Sequence, residues 1–264
     1  MDASWRARAL HDLAAIVTRS RVWRALAFYD IRAKYRFSMF GTLWIVLTTA
    51  VTALSVGVIY GQFFGQEMSR YLPYFTTGLV VWTFMSGVFN EAATTLTTTS
   101  HLIKATSIPI SLHIMRMLQR NFIVFLHHLG IVGAIWLFIP WGIDLSIAAA
   151  VAGIALLYVF LAGVAVVISF VCIRYRDVPP LIAAATQFTF LASPILWYED
   201  SLRFGKEIVA VNPVTYFMRI VRDPLLGQMP SLTTWSIALL LTAVSALLAS
   251  FIYLSYRHRV AYWV

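Results

Sequence analysis

Apolar residues run almost unbroken through six stretches of this chain, near residues 38–61, 74–98, 118–140, 147–172, 179–198 and 232–255, with short polar connections between them. Each is long enough for a helix to cross a hydrocarbon core of roughly 30 Å, which takes about 20 residues. The hydrophobicity is continuous and does not alternate every second residue, so the spans are read as helices and not as strands of a membrane barrel. The pattern predicts an all-α integral membrane protein with six transmembrane helices. An N-terminal segment, 1–37, precedes a single six-span domain, 38–264.

Two polar interruptions change this picture. Between the second and third spans, Ser100-His101-Leu102-Ile103-Lys104-Ala105-Thr106-Ser107-Ile108-Pro109 forms a short elbow. Ahead of the first span, Val22, Leu26, Tyr29, Ala33 and Phe37 recur at helical spacing while Arg21, Arg24 and Arg32 fall on the other face, and Asp30, Ile31 and Lys34 blur the division. That segment reads as a helix at the membrane surface, either an anchor or a gate against a partner or channel mouth. It has no apolar core followed by a small-residue cleavage site, so no removable signal peptide is expected.

Composition agrees with the spans. The chain is 60% hydrophobic and 12% charged, with mean hydropathy +0.79, against about 25% charged residues in a soluble domain. Of the 20 Lys and Arg, fifteen fall on one side of the six-span arrangement, in the segments holding Arg6 to Arg36, Lys104 to Arg120, Arg174, Arg176, Arg257 and Arg259. Arg70, Arg203, Lys206, Arg219 and Arg222 fall on the other. Basic residues near span ends are retained in the cytoplasm, so both termini are expected there. The same bias, with attraction to anionic lipid, accounts for the net charge of +9 without a nucleic-acid partner.

Candidate chemistry is sparse. There is no G-x-x-x-x-G-K-[ST] phosphate loop, no H-E-x-x-H zinc motif and no catalytic constellation. Cys172 is the only cysteine and reads as a packing residue. His127 and His128 lie about 100 degrees apart on a helix, a poor arrangement for sharing a metal, so none is expected. Glu91, the one carboxylate inside a predicted span, must face protein or water, by pairing or snorkelling near the cytoplasmic end or by a pore-lining or coupling role. Gly57, Gly61 and Gly65 form two overlapping G-x-x-x-G patterns, a subunit seam or an internal contact. Gln187, Phe190, Leu191, Pro194, Trp197 and Tyr198 are expected on one face of the fifth span, with Phe188 nearby and Tyr60, Phe63 and Phe64 at similar depth. These aromatics form either an interfacial belt or flat surfaces suited to sugar rings.

Several ordered landmarks resemble one family. They are Asp30-Ile31-Arg32-Ala33-Lys34-Tyr35-Arg36 followed by Gly41-Thr42-Leu43-Trp44, Pro73-Tyr74-Phe75-Thr76-Thr77-Gly78-Leu79, Leu102-Ile103-Lys104 with Ile108-Pro109, Arg176-Asp177, Ser193-Pro194-Ile195, and Asn212-Pro213. From about residue 28 to 255 the chain is similar to type 2 membrane (permease) subunits of bacterial ATP-binding-cassette exporters of O-antigen, capsular polysaccharide and teichoic acid. Residues 1–19 match nothing in that pattern, and the elbow lacks the second basic or aromatic residue common in relatives. Arg176-Asp177 and Asn212-Pro213 also have plain structural readings, as a loop ion pair and a helix-starting turn.

The resemblance implies a homodimer in the bacterial inner membrane, enclosing a channel for a lipid-linked polysaccharide, with O-antigen the leading candidate. It implies two ATPase subunits at the cytoplasmic face, which hold ATP and Mg while this chain holds no cofactor and is no enzyme. It makes Ser100, His101, Leu102, Ile103, Lys104, Ala105, Thr106, Ser107 and Ile108 a coupling helix, and Arg32, Lys34, Tyr35 and Arg36 part of a cytoplasmic interface or gate helix. Short outer gate helices are implied between Glu199 and Gly227, with Asn212, Pro213 and Arg219 among the gate residues. The channel aromatics become Tyr60, Phe188, Phe190, Trp197 and Tyr198. Alternatives are a related exporter of drugs, lipids or small glycolipids, a membrane enzyme of lipid-linked sugar metabolism, or a proton-coupled transporter. The last two are disfavoured by the scarcity of clustered ionisable groups.

Overall fold

The computed structural model describes residues 3–63, 65–106, 108–142, 146–199 and 206–263, with the side chains of 3–7, 206 and 261 left aside. Among the described residues all regular structure is helical: α1 (Ala3–Thr18), α2 (Ser20–Lys34), α3 (Leu43–Phe63), α4 (Met68–Thr98), α5 (Ser100–Ala105), α6 (Ile110–Phe138), α7 (Ser146–Arg174), α8 (Val178–Ala192), α9 (Lys206–Val211), α10 (Pro213–Leu225), α11 (Leu232–Tyr256) and α12 (Val260–Trp263). Five of them, α3, α4, α6, α7 and α11, are long and apolar enough to cross a membrane.

The fifth expected span departs from the sequence reading. α8 has 15 residues, about 22 Å at 1.5 Å per residue, less than the roughly 30 Å of a hydrocarbon core. It stops because Ser193 adopts φ −102, ψ 146, the extended conformation forced on a residue that precedes proline. Pro194, Trp197 and Tyr198 therefore lie beyond the helix, and the single face expected to carry them with Phe190 does not form. Conversely, α6 begins eight residues before the expected third span, because Arg116 finds a carboxylate in Asp30 and needs no polar loop.

α4 is the central helix: 78% of its apolar window is buried, against 17% for α3. It packs against α3, α6, α7, α8 and α10. Gly57 and Gly61 are closed over by Leu72 and Tyr71 of α4, so this G-x-x-x-G pair is an internal contact. Gly65 lies outside that contact and takes φ +61 at the turn after α3, a conformation that favours glycine. On α7, a Cβ at Gly153 would overlap the Ile220 carbonyl of α10. That close approach lets Phe160 stack on Phe217 at 4.0 Å between ring centres.

The unmatched N-terminal segment is an integral part of the packing. α1 buries Ala9, Asp12 and Ala15. Its Asp12 carboxylate accepts from Arg257 Nε at 2.7 Å and from the Tyr253 hydroxyl at 3.3 Å, while the Asp12 carbonyl accepts from Ser111 Oγ at 2.7 Å. The second half of α1, the start of α6 and the end of α11 thus meet at one end of the bundle.

α2 has three sides where the sequence suggested two. Trp23, Ala27 and Ile31 are buried against protein, whereas Val22 and Tyr29 of the expected apolar face are exposed. The basic residues Arg21, Arg24 and Arg32 occupy the third side. Phe37, expected to continue that face, lies past the helix and is 94% exposed. The sequence reading missed the protein-facing stripe because Asp30 and Ile31 looked like interruptions; they are the residues that dock.

Candidate functional site

The two ends of α4 each gather polar side chains. Near its C-terminal end, Glu91 Oε2 accepts from Arg120 Nη2 at 2.6 Å and from Asn121 Nδ2 at 2.8 Å. Arg120 also donates to Asp30 Oδ2 at 3.0 Å, and Arg116 holds Asp30 in a two-pronged pair at 2.7 and 2.5 Å. The paired planes of guanidinium and carboxylate give such contacts directional strength. One chain of charges therefore joins α2, α6 and α4, and Glu91 is paired as the sequence reading allowed.

Immediately beyond α4 sits the elbow. α5 has no buried residue, and Thr106 leaves it in extended conformation. Ser107 lies outside the described residues. Ile108 packs with Ala15, Trp23 and Leu112, so the elbow's exit rests on α1 and α2. Trp23 in turn donates Nε1 to the Ile16 carbonyl at 2.9 Å, fixing the corner between those helices. Of the expected interface-helix residues, Arg32 and Lys34 are exposed on α2, while Tyr35 caps it and Arg36 lies beyond.

At the other end of α4 the broken segment after α8 must satisfy its own backbone. Carbonyls freed from a helix are costly in apolar surroundings unless they are paired again. Tyr71 donates its hydroxyl to the Leu196 carbonyl at 2.7 Å, and Tyr74 donates to those of Pro194 and Trp197 at 3.0 and 3.1 Å. Arg222 of α10, 3% exposed, donates Nη1 to the Pro194 carbonyl at 2.6 Å and lies 4.2 Å from the centre of the Tyr74 ring. Asn212 accepts from the Val214 N–H at 3.0 Å, capping α10, and donates to Ser193 Oγ at 2.8 Å. The Asn212-Pro213 and Ser193-Pro194 motifs thus meet, and Asn212-Pro213 is the expected helix start.

These side chains surround a cavity of about 490 Å³, walled by Tyr74, Trp141 and Tyr198 and rimmed by Arg70, Glu199, Arg219, Arg222 and Asp223. Arg219 makes a two-pronged pair with Glu199, and Arg222 Nε donates to Asp223 at 3.3 Å. Burial pushes the Asp223 carboxyl above its ordinary range, against the pull of Arg222. Trp141 is held by its Nε1 donating to the Leu225 carbonyl at 2.8 Å.

The expected channel aromatics do not form one ring. Tyr198 belongs to this cavity, with its ring centre 4.2 Å from that of Tyr74. Phe190 turns inward onto Trp82 at 5.7 Å. Phe188, 69% exposed, lines a separate apolar groove with Ile208, Val211, Asn212 and Pro213. Tyr60 is half-exposed near the end of α3, and Trp197 is half-buried. The expected gate residues are likewise split, with Asn212 and Pro213 at the groove and Arg219 at the cavity. Phe64 and Arg203 lie outside the described residues.

The two histidines and the cysteine lie apart from both clusters. His128 Nε2 lies 3.0 Å from Thr49 Oγ1 and 3.1 Å from the Ile45 carbonyl, while His127 turns to the Ile123 carbonyl. Cys172 is buried. No group of three His, Cys, Asp or Glu among the described residues could hold a metal ion. The expected Arg176–Asp177 pair does not form: no ion pair joins them among the described residues. Tyr71, Tyr74, Arg222 and Asp30 escaped the sequence reading as site residues. The signal for the first three was the Ser193-Pro194 break, which announces carbonyls in need of donors.

Comparison with known proteins covers both polar clusters and the elbow. The model of the ABC-2 type transporter family matches residues 21–226, from α2 through α10. An O-antigen export system permease protein RfbA from Klebsiella pneumoniae is 24% identical over 225 residues, spanning 81% of this chain and 80% of its own. Another protein of that name and organism is 21% identical over 218 residues, spanning 78% and 76%. The family description together with the five long apolar helices makes this chain a multi-pass membrane transport subunit. On the family match, which takes in both polar clusters and the elbow between α4 and α6, the chain belongs to the ABC-2 type transporter family.

Proposed function

We propose that this chain is the channel-forming permease subunit of an exporter that carries a lipid-linked polysaccharide, O-antigen foremost, across the bacterial cytoplasmic membrane. The observation that carries the reading is the alignment of about four-fifths of the chain with permeases of O-antigen export. A long polymer suits a continuous passage better than a pocket that closes around its whole cargo. Two copies enclose that passage, with both termini cytoplasmic. The exposed faces of α3 and α8, bearing Tyr60 and Phe188, are the surfaces each copy offers to it. ATP and Mg belong to the two ATPase subunits, because this chain has no phosphate-binding loop.

α5 is the coupling helix. Its lack of buried residues leaves it open to a partner. Ile108 passes its movement to α1 and α2, and the Asp30–Arg116–Arg120–Glu91 chain carries it back to the end of α4. Arg32 and Lys34, exposed on α2, face the lipid headgroups or the arriving substrate.

Leu102→Glu tests this directly, since it puts a charge on the half-exposed side of α5 without touching the core. The expected outcome is loss of ATPase co-purification and of surface polymer, with unchanged membrane abundance. Full ATP-driven export by the variant would remove the coupling assignment.

A further inference from the structure

We propose that the cavity between the start of α4 and α10 is a saccharide site, holding one or two sugar rings of the exported chain beside the passage. The inference rests on the export reading above and adds a place and a chemistry to it. The cavity, about 490 Å³, lies within the range of small-ligand sites, about 300 to 1,000 Å³.

Its walls combine two properties a pyranose ring needs. Tyr198 and Trp141 offer aromatic surface, which accepts the apolar C–H face of a sugar. Between them stand donors and acceptors of both kinds: the carboxylates of Glu199 and Asp223 and the guanidiniums of Arg219 and Arg222. Hydroxyl groups donate and accept together, so an alternating rim satisfies them where a one-signed rim would not.

Charge argues against a free phosphate as the occupant. Arg219 is matched by Glu199 and Arg222 by Asp223, which cancels most of the field an anion would seek. Among the described residues only Arg70 on this rim has no carboxylate partner, and it lies 5.9 Å from the centre of the Tyr198 ring.

The site is also held in shape before any ligand arrives. Tyr74 is tied to the Pro194 and Trp197 carbonyls, Trp141 to the Leu225 carbonyl, and Tyr198 donates its hydroxyl to the Arg70 carbonyl at 3.3 Å. Walls fixed in this way lose little freedom on binding. Gly227, at φ +79, brings the turn after α10 so close to Gly142 that a Cβ there would overlap the Gly142 carbonyl. The loop carrying Trp141 and the end of α10 thereby form one wall.

The test places the photo-crosslinker p-benzoylphenylalanine at Ser69 or Gln228, exposed positions on the cavity rim, in cells exporting their own polymer with the intact transporter. Parallel cells carry it at Phe188 on the exposed face of α8 and at Val17 on α1, far along the chain from either surface. After illumination the purified chain is probed for attached glycan. Glycan at Ser69 and Gln228 and none at Val17 is the expected result. Adding Tyr198→Leu is expected to lower the Gln228 signal about fivefold, the factor equivalent to about 1 kcal/mol of lost ring contact, and to leave the Phe188 signal unchanged. Glycan at Phe188 but not at the rim would overturn the cavity assignment and leave the export reading standing. Glycan at none of the three would overturn both.

Discussion

The two ends of α4 carry similar residue types and use them differently. Glu91 and Tyr74 are 17 residues apart, about 25 Å along the helix. Around Glu91 the charges close on one another across three helices, Asp30 to Arg116 and Arg120 and then to Glu91, and the side chains are spent on joining α2 and α6 to α4. Around Tyr74 they close on backbone, because the chain breaks after Ala192 and leaves carbonyls that α4 and α10 must satisfy. The first arrangement is a clamp. The second borders a cavity. A polar residue in a membrane protein thus reports which unmet need lies opposite it, a charge or a freed carbonyl.

Breaking the second arrangement should have the largest effect. Arg222→Leu strips a nearly buried cation from the Pro194 carbonyl and from Asp223, and loss of one partner of a buried pair costs about 4 kcal/mol. The expected readout is a large drop in thermal stability of the purified chain in detergent, with Arg222→Lys recovering part of it. An unchanged melting temperature would mean that the broken segment is held some other way.

Asp30→Asn attacks the clamp instead. Among the described residues Asp30 is the only carboxylate shared by Arg116 and Arg120, and its side chain is 14% exposed. The expected cost is about 3 kcal/mol, somewhat less than for full burial. Its signature is local: protease cleavage between α2 and α3 should rise while the environment of Trp141, read by fluorescence, stays the same. Equal disturbance at both ends would contradict the separation drawn between them.

Tyr74→Phe is the finest probe. It removes one hydroxyl from two carbonyls while Arg222 still serves Pro194, so the expected loss is about 1 to 2 kcal/mol. Tyr71→Phe should behave alike through the Leu196 carbonyl. If the two losses add, the segment is held by independent ties; if the double variant loses more than the sum, it moves as a unit.

Much of this architecture was legible in the chain. Continuous apolar runs reveal spans because lipid leaves the backbone no other partner, and α3, α4, α6, α7 and α11 appear where such runs lie. The exposed elbow α5 and the N-terminal helix α2 were also readable from local polarity, while the short helices α9 and α10 were expected only from the family resemblance. Less legible was everything that depends on distant pairing. Arg116 looked like part of a polar loop because its partner Asp30 is 86 residues away. Tyr74 looked like an ordinary aromatic because its carbonyls lie 120 and 123 residues on. The end of α8 was within reach, since Ser193 precedes a proline, but an apolar run that continues to Trp197 hides a stop in the backbone. α1 could not be placed from its own pattern, because Asp12 meets Arg257 245 residues away.

The central claim is that this chain is a conduit moved by a separate ATPase. Reconstitution of the purified chain into vesicles, with and without that ATPase, tests it most directly by following lipid-linked polymer from one face to the other. Transfer is expected only when the chain, the ATPase and ATP are all present. Transfer against a gradient by the chain alone would contradict it.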